Sequence, residues 1–387
     1  MTERGTPVPD QESPSWWLFH GTGRPAATTL AERVRRWPPA PPWRAFTGAP
    51  DLEIPPADEA ETKRRLGTVA VGTLTAEQLS VINAAIHLRR PLLITGGPGS
   101  GKSSLAYLIA WELGLGPVLR WPVTSRTTVR SGLYEYDAIG RAQSIAQSSR
   151  DSVPVGQPGR EGPPGSRDNA SRDAGPALRR RPRPDAPVPP AVVPVGRFVT
   201  LGPLGTALLP YALPRVLLVD EFDKCDYDLP NDLLTLLEDA EFDLPELIRV
   251  REAEPIASVY TADRGVAAPV TGGVVRAHEF PIVVITSNGE RDFPEAFLRR
   301  CVRLDIPQPG ADALADLVAA HFPRGSDAYR RIITEFVARR ELGVLAADQL
   351  LNAAHLLDRG ALDGDDGNRA ALLAAVWRRL DPAAERE

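Results

Sequence analysis

Cysteine is almost missing from this 387-residue sequence: Cys225 and Cys301 are the only two. That excludes a disulfide framework and suits a reducing, cytoplasmic setting. Neither cysteine lies in a C-x-x-C pair, and the five histidines (20, 87, 278, 321 and 355) are scattered, so a metal centre built from clustered side chains is not expected. No apolar run approaches the ~18 residues a membrane helix needs. The N-terminal residues show neither the basic stretch nor the apolar core of a secretory leader. A net charge of −5 shows no global excess of positive charge, so nucleic acid is not expected as a partner and no membrane association is implied.

Aromatic residues are absent from Ala142 to Gly196, where Pro, Gly, Arg, Ser and Asp dominate. Such a stretch cannot bury enough apolar surface to offset its ordering entropy, and it reads as a disordered insertion at about 142–196. Its basic knot, Arg179-Arg180-Arg181-Pro182-Arg183, reads as a solvated loop, with contact to nucleic acid or an acidic partner as the alternative.

Against these absences stands one dense motif. Gly96-Gly97-Pro98-Gly99-Ser100-Gly101-Lys102-Ser103, followed by Ser104, matches G-x-x-x-x-G-K-[ST], a loop that cradles phosphates. Pro91–Thr95 before it reads as a short buried strand, and Ser103–Leu113 after it as a helix. Strand, glycine turn and helix together present backbone N–H groups and the positive end of a helix dipole to an anion. Lys102 would neutralise β/γ-phosphates, and the Ser103 hydroxyl would ligate Mg²⁺.

Two further strands end in chemistry. Val216-Leu217-Leu218-Val219-Asp220-Glu221 is an apolar run closed by two carboxylates. At the carboxyl edge of a parallel sheet they would lie beside the loop, Asp220 holding Mg²⁺ through water and Glu221 activating the attacking water. Ile282-Val283-Val284-Ile285-Thr286-Ser287-Asn288 ends in an amide that both donates and accepts, suited to bridging a γ-phosphate and a water. No N-K-x-D guanine signature follows, which favours ATP.

Three regions are expected. Residues 1–65 are rich in proline and tryptophan, an arm strapped across the main domain or a partner-binding segment. Residues 66–309 form an α/β core with a doubly wound parallel sheet, entered by a helix with a capping box at Thr75 and Gln78. Residues 310–387 carry only helical patterns: 311–322, 326–340, 346–358 and 368–380.

In this order the motifs resemble the AAA+ ATPases, P-loop NTPases with a C-terminal helical lid domain, and within them the MoxR-like group. The closer resemblance rests on Gly202-Pro203-Leu204-Gly205, on Asp220-Glu221-Phe222-Asp223-Lys224 with Leu233–Glu238, and on Phe293–Cys301. It implies ATP and Mg²⁺ as cofactors, hydrolysis of ATP to ADP and phosphate, and a homo-oligomeric ring, commonly a hexamer. It also implies a protein client, in some members alongside a von Willebrand A domain partner. Carried over by position, Arg300 is similar to the family's arginine finger, which completes a neighbouring subunit's site, and Arg299 could share the task. The chain departs from the family where a sensor-2 arginine is expected: Gly343–Gln349 offers none, leaving Arg339 or Arg340 as substitutes. A nucleic-acid translocase or restriction-type motor, a nucleotide-gated scaffold with little turnover and, more distantly, a small-molecule kinase are the alternatives.

Overall fold

The computed structural model describes residues 13–66, 74–151, 193–322, 327–340, 345–362 and 366–377. Five short apolar strands form the centre: β1 (Leu92–Thr95), β2 (Leu119–Pro122), β3 (Val216–Asp220), β4 (Ile282–Ser287) and β5 (Val302–Asp305). They lie in the order β5-β1-β4-β3-β2, and every pairing is parallel. Near-continuous apolar strands belong in such a sheet, because both faces are covered.

The side-chain alternation makes this explicit. Leu93, Leu217, Val219, Val283 and Ile285 enter one apolar core. Their immediate neighbours Leu92, Ile94, Val216, Leu218 and Val284 enter a second core on the opposite face. This is the expected doubly wound α/β arrangement. The helices Ala76–Leu88 and Lys102–Leu113 cover the second face, and Leu229–Asp239 covers the first. The Thr75–Gln78 capping box is formed in both directions. The registers pair Thr95 with Ser287 and with Asp305, and Pro122 with Asp220, so the carboxyl ends of the strands share one edge.

Smaller sheets flank the first core. Tyr134–Tyr136, Val199–Leu201, Ile256–Tyr260 and Ala267–Thr271 form one, and Glu241–Asp243 pairs with Val274–Arg276. Four helices, Ala311–His321, Asp327–Arg340, Ala347–Asp358 and Asp366–Val376, enclose a third core that includes Leu314, Phe336, Leu350 and Trp377.

The N-terminal arm is strapped down. Phe19 is fully buried in the second core. Asn83 receives the backbone N–H groups of Leu18 and Phe19 and returns a bond to the Phe19 carbonyl. The Glu112 carboxylate accepts from the N–H groups of His20, Thr22 and Gly23. Further on, buried Arg44 donates to the Arg89 and Leu237 carbonyls, and Gly48 pairs with Ala277. The composition boundary at 65 is therefore not a folding boundary.

The expected disorder at 142–196 is corrected at both ends. A helix runs from Ala138 to Asp151, started by the Asp137 carboxylate accepting from the Gly140 N–H at 2.8 Å, an N-cap. Ala, Gln and Arg in its first turns supply enough helix propensity despite the missing aromatics. At the other end Val195 and Gly196 are buried in a short 3-10 turn. Residues 152–192, including the Arg179–Arg183 knot, lie outside the described residues. Among the described residues no helix is long and apolar enough to cross a membrane.

Candidate nucleotide site

The phosphate loop connects β1 to the Lys102–Leu113 helix along the carboxyl edge of the sheet. Gly101 occupies the N-cap position of that helix at φ 87° and offers no capping side chain, so the first-turn N–H groups are left open to an anion. Gly99 also has positive φ, 72°, and a Cβ there would strike the backbone of Ala346 and Ala347. The loop thus lies directly beneath the N-terminus of the Ala347–Asp358 helix. Pro98 shapes the turn, Ser104 continues the helix's first turn, and the Ser100 hydroxyl is buried with no hydrogen-bond partner. A buried orphan hydroxyl in the turn before an uncapped helix N-terminus fits a phosphate oxygen.

Lys102 is buried, and its ammonium is shared among the Gly96 carbonyl (2.8 Å), the Gly97 carbonyl (2.9 Å) and Asn288 Oδ1 (2.9 Å). Burial pushes it below the ordinary lysine range, against the opposing pull of Asp223, Asp220 and Glu221. Lys102 and Asn288, 186 residues apart in sequence, meet at one point. Asn288 is held there by Asp223, whose Oδ2 accepts from the Asn288 N–H (2.8 Å) and the Glu290 N–H (3.3 Å).

Asp220 is the most heavily bonded group in the site. Its Oδ1 accepts from Ser103 Oγ (2.7 Å) and Thr286 Oγ1 (2.9 Å), and its Oδ2 accepts from the Arg120 guanidinium (2.8 and 3.2 Å). Burial opposes its charge, but the bonds from Ser103, Arg120 and Thr286 outweigh that and hold the carboxyl below the usual aspartate range. Thr286 also accepts the Glu221 N–H at 3.0 Å. One hydroxyl therefore links the ends of β3 and β4. Glu221 has φ 60° and ψ 48°, a left-handed conformation unusual for a residue with a side chain. The turn swings its carboxylate outward, half-exposed and 3.0 Å from Lys224 Nζ.

The metal reading fits the donors. Ser103 Oγ and Asp220 Oδ1 are hard oxygen ligands in direct contact, and no cluster of three or more His, Cys, Asp or Glu occurs among the described residues. A sparse oxygen pair suits Mg²⁺, which keeps waters and takes its other ligands from phosphate.

Arg300 stands apart from this cluster. Its guanidinium donates to Glu238 Oε1 at 2.6 Å and to the Ala296 carbonyl at 3.2 Å. Arg299 is exposed, with its carbonyl accepting from Arg90. Both follow the short helix Glu295–Leu298, anchored by Phe297 against Phe222 at 5.3 Å and by Phe293 against Phe222 at 5.4 Å. Neither suggested sensor-2 substitute is directed at the loop: Arg339 lies over the Trp377 ring, and Arg340 donates to the Pro309 carbonyl.

Arg120, Thr286 and the positioning contacts of Asp223 were not read from the sequence as parts of the site. A threonine two residues before Asn288, at the carboxyl end of an apolar strand, was the available signal. A lone arginine in Leu119-Arg120-Trp121-Pro122 gave none. Both cysteines are buried, which pushes their thiols up to about 11 for Cys225 and about 12 for Cys301, so neither is a reactive group.

Solved structures similar to this chain include NtrX from Brucella abortus in complex with ATP, at 14% identity over 79% of this chain and 56% of that chain, with a TM-score of 0.37. The FIGL-1 AAA domain in complex with ADP matches at 11% identity over 92% and 88% of the two chains, with a TM-score of 0.29. C. elegans PCH-2 matches at 11% identity over 84% and 73%, with a TM-score of 0.36. The chain thus spans just over half the length of the NtrX chain. No protein-family model and no curated protein matches it.

Proposed function

We infer that this chain is an ATP-hydrolysing AAA+ ATPase of the MoxR-like kind. The observation that carries the reading is the convergence of Lys102 on Asn288 and of Ser103 on Asp220 at one sheet edge, beside a helix N-terminus with no side-chain cap. Three sequence-distant segments supply the parts of a phosphoryl-transfer site there. Ser103 and Asp220 would hold Mg²⁺, which would supply positive charge against the polyphosphate. Loop N–H groups and Lys102 bind the polyphosphate. Asn288 exchanges its bond to Lys102 for the γ-phosphate and the attacking water. Glu221 accepts that water's proton as the water oxygen bonds to γ-phosphorus and the bridge to the β-phosphate breaks.

Arg300 would supply charge to the site of an adjacent subunit in a ring, hexameric in the family's usual form. Turnover would drive remodelling or activation of a protein client, with a von Willebrand A domain protein as a candidate partner, in the cytoplasm. The ring, the client and the partner rest on the resemblance of the motifs.

The test is nucleotide binding and hydrolysis by purified protein with Mg²⁺. Lys102→Ala should abolish binding of ATP, and Glu221→Gln should retain binding and lose hydrolysis. Equal loss of binding in both variants, or no binding by the wild type, overturns the assignment.

A further inference from the structure

Asp220 is held asymmetrically. Two neutral hydroxyls, Ser103 and Thr286, occupy Oδ1, and one cation, Arg120, occupies Oδ2. Arg120 comes from β2, where Leu119 and Trp121 point into the core and Arg120 is exposed between them. Its side chain is 44% exposed, whereas that of Asp220 is 10% exposed. The nearby Arg65 is already paired with Glu61 at 2.9 Å. Among the described residues Arg120 is the cation that hydrogen-bonds this carboxylate, while Lys102 and Arg65 act on it at longer range.

A carboxylate this buried cannot stay charged without compensation. A divalent ion reaching the same group would add its charge beside the guanidinium, and two cations on one carboxylate repel. Ser103 and Thr286 are neutral and can stay. The guanidinium is half in water on a long chain, and it can leave at little cost in solvation.

We propose that Arg120 is a tethered counter-ion that neutralises Asp220 through Oδ2, the oxygen away from Ser103, and is released when Mg²⁺ arriving with nucleotide on the Ser103 side takes over that charge. The proposal rests on the nucleotide reading above. It makes Arg120 a positioning residue that keeps the empty site charge-balanced and sets how strongly metal and nucleotide binding are coupled. Without Arg120, Asp220 would face an incoming polyphosphate unneutralised, so metal-free nucleotide would bind more weakly. Mg²⁺ would meet no competitor and would bind more tightly.

The experiment is titration of full-length wild type, Arg120→Gln and Arg120→Lys with a fluorescent ADP analogue, once in EDTA and once in Mg²⁺. In Arg120→Gln the ratio of the two affinities should rise about tenfold or more, since bonds to charged groups are each worth enough for that. The half-saturating concentration of Mn²⁺, read by its EPR signal in the presence of ADP, should fall in parallel. Arg120→Lys should stay near wild type. An unchanged or smaller ratio in Arg120→Gln, or weaker binding at saturating Mg²⁺, overturns the exchange; the latter would assign Arg120 to the phosphates. If Arg120→Gln does not fold, the Arg120 Nε–H resonance of the wild type decides. It should lose its protection from solvent exchange on MgADP binding, and retained protection refutes the idea. Wild type that binds no nucleotide in either buffer overturns the nucleotide reading and the exchange together, whereas binding with unchanged coupling overturns the exchange alone.

Discussion

The loop side of the site and the arginine side are built on different terms. Around Asp220 and Lys102, buried polar atoms find partners from three segments of the same chain. Around Arg300, a half-exposed guanidinium rests on an equally exposed Glu238 at the surface. One half is closed by its own chain, and the other ends in solvent with a contact of the kind that contributes little to stability. A buried cluster whose members bond one another is held in place by its own chain. An exposed ion pair can be exchanged for another at small cost, which is what a residue serving a second copy requires.

The strongest way to break this contrast is to remove Arg300. If it serves a neighbouring subunit, Arg300→Ala should lower turnover by about 10³–10⁵-fold with nucleotide binding retained. Mixing it with Glu221→Gln should restore part of the activity, measured as phosphate release at rising protein concentration. Wild-type turnover by a strictly monomeric sample would mean that the arginine acts on its own chain's site or not at all. Next in size, Glu221→Gln should lower turnover by about 10²–10⁴-fold, the range for a positioned general base. Single-turnover assays would show whether the loss lies in the chemical step.

Thr286→Val sharpens the loop side. It removes a bond to Asp220 and leaves the part-buried Glu221 N–H without its partner, so stability should fall by about 1–3 kcal/mol in a denaturant titration. Acid tests the same carboxylate. Because the Asp220 carboxyl titrates below the usual range in the folded protein, its contribution is present above the unfolded value of about 3.9 and is lost as pH falls through the folded value. The stability gap between wild type and Asp220→Asn should therefore be constant near neutrality and shrink on acidification below about 4. A gap that widens in acid would contradict the bonding described. The smallest effect is expected from Glu238→Ala, less than about 1 kcal/mol, because its carboxylate and its Arg300 partner are half-exposed and its contact with buried Arg44 is long, at 3.5 Å.

How much of this could be read in the chain depended on how local the signal was. The glycine loop, the Asp220-Glu221 strand end and Asn288 are contiguous patterns, and each emerged at the sheet edge where its strand ended. Arg120, Thr286 and Asp223 act through register. Only the parallel register of β2 on β3, with Leu119 opposite Leu217 and Pro122 opposite Asp220, brings Arg120 to this carboxylate, and no pattern within either strand specifies it. The 142–196 stretch shows the opposite failure. Composition averaged over 55 residues hid an Asp137 cap whose signal is a single residue. The arm's tryptophans and prolines leave two readings open, and the groups that hold residues 18–23 against the core, Asn83 and Glu112, are polar side chains far away in sequence.

The arm's route carries a mechanical consequence. Phe19 is sunk into the layer of helices on one face of the sheet, while Arg44 reaches the Leu237 carbonyl and the ring of Phe280 in the layer on the other. A single ribbon therefore ties the two layers together, as a band round a stack of plates. Neither layer can peel from the sheet without loosening the ribbon's hold on the other. Opening should be all-or-none across the core, and the Lys102–Leu113 helix, clamped at Glu112, has a firm seat at the end opposite its phosphate-facing turn.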